Sequence, residues 1–180
     1  KYHQITDAPL CQGSGEFLLW EFPIAFWMEK EGYEVVESDL GEFIVQLRKE
    51  PPYHIVFPAM HLTRGEISDL FQKELGSAPT DSPEELTMIA RRALRKKYIA
   101  ADIGITGANF AIAETGMISI TENEGNARLT AALPQTMISL LGIEKVLPRL
   151  ADLALFLPML ATAGAGQPIT CYNSFYGGPR

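Results

Sequence analysis

Short apolar runs alternate with helical segments that carry clear start signals, and this alternation constrains the fold more than any other feature. The runs predict strands at 33–37, 53–57, 101–105, 116–121, 136–141, 144–147 and 169–175. Apolar strands separated by helices are typical of an α/β protein with a mainly parallel sheet. Ligands of such sheets bind at the carboxyl ends of the strands, where we expect the functional site.

Helix starts are marked by residues that accept hydrogen bonds from the free N–H groups of the first turn. Asp39 is the predicted N-cap of one helix, and Thr63 with Glu66 predicts a capping box at the start of the next. Ser82 followed by proline is the strongest start signal in the chain. A last helix is predicted over 150–157.

Composition excludes some classes of function. The 180 residues suffice for one domain with a hydrophobic core, and their net charge of −7 disfavours a nucleic-acid binder. The basic run 91–97 is interpreted as a solvated helix face. No apolar run approaches the roughly 20 residues of a membrane span. Few cysteines and no signal peptide predict a cytoplasmic protein.

The two cysteines, Cys11 and Cys171, are too few for an iron–sulfur cluster, which takes about four thiolates. They also lack zinc-site spacing, so we expect neither a metal nor a cofactor in this chain. The first ~16 residues have no periodicity and are interpreted as loosely ordered. Segment 17–28 is apolar but contains Glu21 and Pro23, which favours a buried or interface helix.

Segments 104–116 and 122–129 together hold four glycines, three asparagines, three glutamates and one arginine between apolar runs. Glycine allows turns and close approach of the backbone to a ligand, and the polar side chains are suited to hold a small polar molecule. We therefore expect loops after neighbouring strands to bring Glu114, Asn126 and Arg128 together around one hollow.

Two residues are candidate catalytic groups. Glu114 can act as a nucleophile or a base, or can instead be a loop residue bonded to backbone amides. His61 lies where a predicted strand meets a helix, and the alternative is a histidine held by local backbone. Arg128 can bind a substrate carboxylate through its planar fork, or can form a surface ion pair with Glu122 or Glu124.

The remaining candidate ligand-binding residues are small or amide-bearing. Asparagine is also a common turn residue, and the glycines are expected to set the backbone geometry that opens the cleft. These candidates are Asn109, Asn126, Thr115, Gly107, Gly116 and Gly125.

Several longer motifs occur in order along the chain, at 37–43, 59–61, 106–116, 123–130, 140–146 and 178–180. They resemble the LUD domain family, in particular the LUD core of the bacterial iron–sulfur protein of lactate utilisation. The resemblance covers 31–180, which would be the LUD core, and leaves 1–30 as a divergent segment with a loose start and an apolar helix. It implies that the chain is a fragment of a longer protein.

The resemblance also implies a fold and an activity. The fold would be the Rossmann-like three-layer sandwich of sugar-phosphate isomerases and CoA-transferases. The parent protein would take part in oxidising L-lactate to pyruvate, as an oxidoreductase with [4Fe-4S] clusters in a C-terminal region absent from this chain. Expected partners are two sister lactate-utilisation subunits, a small carboxylate substrate and a further copy of the chain.

Two other functions stay open at this point. One is a stand-alone enzyme of the isomerase or CoA-transferase kind that uses Glu114. The other is a non-catalytic interaction domain that docks through the apolar segment 17–28.

Overall fold

The computed structural model describes residues 3–7, 24–54, 57–122, 124–169 and 172–178. Within these ranges lie eight strands and six α-helices, together with 3₁₀ turns at Ile143–Lys145 and Leu150–Asp152. The strands are β1 His3–Asp7, β2 Glu34–Glu37, β3 Ile103–Gly107, β4 Phe110–Ile112, β5 Met117–Glu122, β6 Thr136–Leu140, β7 Val146–Leu147 and β8 Tyr172–Tyr176. The helices are α1 Ile24–Lys30, α2 Leu40–Arg48, α3 Arg64–Leu75, α4 Pro83–Ala100, α5 Asn126–Ala132 and α6 Leu153–Ala165.

Four strands form a parallel sheet in the order β2-β1-β3-β6. Ile5 of β1 lies opposite Val36 on one side and Gly104 on the other, and Gly104 lies opposite Met137 of β6. β2 pairs with one edge of β1, and β3 pairs with the opposite edge. The order in which the chain adds strands therefore reverses at β1. Such a reversal opens a crevice at the carboxyl ends of the strands. The predicted α/β class with a parallel sheet is confirmed.

The other four strands form a second sheet in the order β7-β4-β5-β8, which is mostly antiparallel. Only residues 108 and 109 separate β3 from β4, and a crossover to a parallel strand needs a dozen or more residues. β4 therefore cannot join the first sheet as a parallel neighbour of β3. It forms an antiparallel hairpin with β5 instead, in which Ile112 of β4 lies opposite Met117 of β5. The prediction of one mainly parallel sheet holds for the first sheet and not for this one.

The caps of α2, α3 and α4 lie at the residues that the sequence predicts. The Asp39 carboxylate accepts the N–H groups of Gly41 and Glu42 at 2.8 and 3.1 Å. Thr63 forms the predicted capping box at the start of α3, and the Ser82 hydroxyl caps α4. These starts need only residues within one turn, which is why the sequence predicts them correctly.

The largest hydrophobic core lies among α2, α3 and α4, against β2. Phe71 of α3 is fully buried at its centre. Its neighbours include Phe43 and Ile44 of α2 and Leu86 and Tyr98 of α4. This core holds the first turn of α2 at the carboxyl end of β2, and so fixes the position of Asp39 at the edge of the parallel sheet.

Three sequence predictions of local structure are wrong. Tyr53, His54 and Phe57 form bends rather than a strand, because the Tyr53 N–H donates to the Pro58 carbonyl and closes a turn; residues 55 and 56 lie outside the described ranges. The predicted strand 144–147 begins as a 3₁₀ turn and is a strand only at Val146–Leu147.

The third error concerns the start of the chain. His3–Asp7, expected to be loosely ordered, form β1 in the middle of the parallel sheet. This segment contains one aliphatic residue, so its own composition does not predict a strand; its two neighbours in the sheet decide its structure. Of the apolar segment 17–28, residues 17–23 lie outside the described ranges and the rest begins α1.

None of the helices within the described ranges is both long and apolar enough to cross a membrane.

Candidate functional site

Two carboxylates from distant parts of the chain meet at the start of α2. Asp39 follows β2 and caps the helix with its own side chain. Glu124, in the connection between β5 and α5, accepts the N–H of Leu40 through Oε1 at 3.3 Å. Together the two acids accept the first N–H groups of α2, at the carboxyl edge of the parallel sheet.

This arrangement changes the protonation of Glu124. Its pKa is raised from 4.5 to about 7, first by burial of the carboxyl group and then by the charge of Asp39 and hydrogen bonding with it. The Leu40 N–H acts in the opposite direction, and the charge of Glu122 raises the pKa further. The residue as a whole is exposed, but its carboxyl end lies against the helix start. A carboxyl group that titrates near neutral pH can take and return a proton.

A buried glutamate positions Arg128 in the same region. The Glu122 side chain is only 5% exposed, and its Oε2 accepts the backbone N–H of Arg128 at 3.2 Å. Its Oε1 lies 3.7 Å from Arg128 Nε. The guanidinium lies 4.8 Å from the ring centroid of Tyr172 on β8. Arg128 thus forms the ion pair with Glu122 through Nε, and this ion pair leaves the other guanidinium nitrogens without a carboxylate of the described chain.

Four of the other candidates lie at the end of β3, in the link to β4, or at the start of α5. Gly107 ends β3, and Asn109 accepts the N–H of Thr121 through Oδ1 at 2.6 Å, which joins the link between the sheets to β5. Gly125, with φ of 88°, begins α5 in a left-handed conformation. Asn126 is buried in the first turn, and its carbonyl accepts the Thr130 hydroxyl at 3.0 Å.

The structure places Glu114, Thr115 and Gly116 elsewhere, in the turn of the β4–β5 hairpin. Glu114 Oε2 accepts the N–H of Leu150 at 2.9 Å, and Thr115 Oγ1 accepts that of Met117 at 3.2 Å. Glu122 is the last of the six residues of β5, and the turn precedes the first, so a strand about 17 Å long lies between them.

The expectation that Glu114 shares a hollow with Asn126 and Arg128 is therefore wrong. An antiparallel hairpin places its turn at one end of β5 and the residues that follow β5 at the other. The alternative interpretation of Glu114, a loop carboxylate bonded to a backbone amide, describes what the structure shows.

His61 also lies away from the two carboxylates. Its Nε2 is 2.7 Å from Glu50 Oε1, and its ring stacks on Tyr53 with centroids 5.0 Å apart. Glu50 follows the C-terminal end of α2, whereas Asp39 precedes the start of that helix. Nine helical residues between them rise about 13 Å.

No three His, Cys, Asp or Glu side chains within the described ranges are grouped so as to hold a metal ion. Cys11, Cys171 and Asn123 lie outside those ranges.

The sequence interpretation missed three contributors to the site. Asp39 was predicted only as a helix cap, Glu124 only as a partner for Arg128, and Tyr172 not at all. The sequence position of Asp39 and Glu124 could have marked them as site residues, because each acid follows a strand and comes just before a helix. Their proximity depends on packing between segments that are 84 residues apart.

Comparison with known proteins agrees with the motifs. The LUD domain model matches residues 14–180. Lactate utilization protein B of Oceanobacillus iheyensis is 48% identical over 153 residues, which are 85% of this chain and 32% of that protein. Its namesake in Bacillus subtilis (strain 168) is 48% identical over 154 residues, with the same two shares. The chain thus spans about a third of the length of these curated relatives. No solved structure gives a significant match. With a family match over most of its length and relatives at this identity, the chain belongs to the LUD domain family.

Proposed function

We propose that this chain is the LUD module of a lactate-utilisation protein that takes part in oxidising L-lactate to pyruvate. The observation that carries the proposal is 48% identity, over 85% of the chain, to proteins named lactate utilization protein B. The parallel sheet with its reversal at β1 supports a Rossmann-like sandwich of the sugar-phosphate isomerase and CoA-transferase type. The cytoplasm is the proposed compartment, and the sister lactate-utilisation subunits are the proposed partners.

Arg128 is the proposed group that binds the substrate carboxylate. Glu122 holds its backbone N–H and lies near Nε, and Tyr172 supports one face of the guanidinium. Within the described ranges, no residue accepts a hydrogen bond from Nη1 or Nη2 of Arg128, and the Arg128 side chain is about half exposed. A half-exposed planar fork held in this way is suited to bind lactate or pyruvate through two parallel hydrogen bonds.

Glu124 is the proposed base. Oxidation of lactate to pyruvate removes two electrons and two protons, one of them from the hydroxyl group. A carboxylate with a pKa of about 7 can accept that hydroxyl proton near neutral pH. Glu124 follows Glu122, which accepts the backbone N–H of Arg128, by two residues, so both proposed roles belong to the segment that joins β5 to α5.

The two electrons need an oxidant, and the proposed one is a set of at least two [4Fe-4S] clusters, each of which takes one electron. This chain does not fit even one such cluster, because two cysteines supply only half of the thiolates that it takes. The clusters are therefore assigned to a part of the parent protein outside these residues, in keeping with relatives about three times as long.

Thermal melting with L-lactate or pyruvate tests the proposal. Either acid, at about 100 times its Kd, should raise the Tm of the chain by about 5–10 °C. Arg128→Ala should abolish the shift, whereas the control Arg91→Ala, on the exposed face of α4, should keep it. No shift with either acid would refute substrate binding and favour the interaction-domain alternative.

A further inference from the structure

Helix α6 has an unusual composition for a helix at a protein surface. Its thirteen residues include no charged side chain. The one polar side chain, Thr162, bonds its hydroxyl to the carbonyls of Pro158 and Met159 at 3.2 and 3.0 Å. A helix that is apolar on all sides is normally buried on all sides.

One side of α6 is packed within this chain. Leu153, Leu157 and Ala161 follow each other at intervals of four residues and so form one stripe. Leu153 and Ala161 are buried, and Leu153 and Leu157 pack with Ile112 and Leu147 of the second sheet. This inner side accounts for only part of the apolar surface of the helix.

The other side is exposed. Leu155 is 64% exposed and Met159 52%, and these two residues, one turn apart, define the α6 outer face. Phe156, 36% exposed, lies at its edge, where its ring contacts Phe110 of β4 with centroids 5.6 Å apart. Leu150, just before the helix, is also 43% exposed. Large apolar side chains that cluster on one exposed face mark a surface that another molecule or domain covers.

The chemistry of α6 disfavours a lipid surface as the cover. Helices that lie on membranes combine an apolar face with a polar face rich in lysine and arginine. Within α6 there is no basic residue to contact lipid headgroups. An apolar protein surface matches the outer face better.

We propose that the α6 outer face packs against an apolar surface of the part of the full-length protein that lies outside these 180 residues. This inference rests on the proposed function, in which the chain is one module of a longer protein. The relatives are about three times as long, so about two thirds of their residues lie outside the matched region. A tethered domain meets the face at high effective concentration, and contacts between domains of one chain typically cover 600–1,500 Å².

Methionine oxidation by hydrogen peroxide, followed by mass spectrometry, tests this interface. Met159 belongs to the outer face, and Met88 on α4 is a matched control with 43% exposure. In the 180-residue chain both should be oxidised at similar rates. In the full-length protein the rate at Met159 should fall at least tenfold, and that at Met88 should stay unchanged.

Equal rates for the two methionines in the full-length protein would overturn the proposal. Protection of Met159 in the 180-residue chain that disappears on dilution would identify a second copy as the cover. Protection only upon addition of phosphatidylglycerol vesicles would identify a lipid surface. Either result would also overturn it.

Substitution in the full-length protein gives a second measurement that needs no isolated chain. Leu155→Glu should lower the Tm by several degrees, because it places a charge in the interface, while Ile99→Glu, at a position 69% exposed on α4, should not. Equal effects of the two substitutions would contradict the interface. A full-length protein that protects Met159 yet supports no lactate oxidation when combined with the sister lactate-utilisation subunits would refute the proposed function and leave this inference standing.

Discussion

Glu124 accepts the backbone N–H of Leu40 through Oε1 at 3.3 Å, and so joins the β5–α5 connection to the first turn of α2. Asp39 caps the same turn, and the two carboxylates lie close enough for the charge of Asp39 to raise the pKa of Glu124. Arg128 follows four residues after Glu124. The contact therefore fixes an acid that titrates near neutral pH at the start of α2, four residues before the proposed substrate-binding arginine in the chain.

Glu124→Gln should change how stability depends on pH. The folded protein holds a proton on Glu124 up to a pKa of about 7, whereas the unfolded chain loses it near 4.5. Between these values the folded state binds more protons, so the free energy of unfolding of the wild type decreases as pH rises. Glutamine does not titrate, so the variant should gain stability relative to wild type from about pH 4.5 to 7 and keep that gain above pH 7.

Urea denaturation at pH 4.5, 6 and 8 measures this difference. The exposed Glu31→Gln serves as the control and should follow the wild type at every pH. Parallel curves for wild type and Glu124→Gln would show that Glu124 titrates as an ordinary glutamate.

Glu122→Ala should destabilise the protein and weaken lactate binding together. Removing this buried carboxylate leaves the N–H of Arg128 without its acceptor and the guanidinium without its neighbouring charge. We expect a loss of about 1–3 kcal/mol in the free energy of unfolding. Glu122→Gln retains an acceptor oxygen and should lose less. Urea denaturation measures the stability of the variants, and calorimetric titration measures their affinity for lactate. If Glu122→Ala bound lactate as tightly as wild type, Glu122 would have no role in positioning Arg128 for binding.

Glu114→Ala should leave lactate binding unchanged. Its carboxylate accepts the Leu150 N–H, so the expected cost is a modest one, about 0.5–1.5 kcal/mol of stability. The position lies in the turn before β5, and Glu122 lies at the other end of that strand, which is about 17 Å long. Mass spectrometry after incubation with an acyl-CoA gives an independent check. A glutamyl-CoA adduct at Glu114 would support the CoA-transferase alternative over the proposal made here.

Gly104→Ala should destabilise the parallel sheet strongly. A Cβ atom at this position would lie 2.1 Å from the Thr130 carbonyl oxygen, so α5 would have to move away from β3. We expect a loss of about 3 kcal/mol or more, at the upper end of overpacking effects.

The control for this substitution is Gly65→Ala in the first turns of α3, where nothing lies within 4 Å of the added atom. It should stabilise the protein by about 0.5–1 kcal/mol through helix propensity. Chemical denaturation measures the free energy of unfolding of both variants. Similar values for Gly104→Ala and Gly65→Ala would mean that β3 and α5 are not closely packed.

The sequence by itself determined the starts of α2, α3 and α4, and it determined the family. Asp39, Thr63 and Ser82 act on N–H groups two or three residues away, so the sequence contains everything their prediction requires. The contact between Glu122 and Arg128 was likewise open to prediction, because the two residues lie only six positions apart.

Only the tertiary structure decided which distant residues meet. β1 is a strand because β2 and β3 pair with it, and nothing in the five residues of β1 encodes those partners. Glu114 was separated from Arg128 by the antiparallel direction of β5, and Glu124 was brought to Leu40 across 84 residues. Such contacts depend on strand order and on the packing of α2 and α5 against the sheet. Both are properties of the whole chain, and no short segment of it contains them.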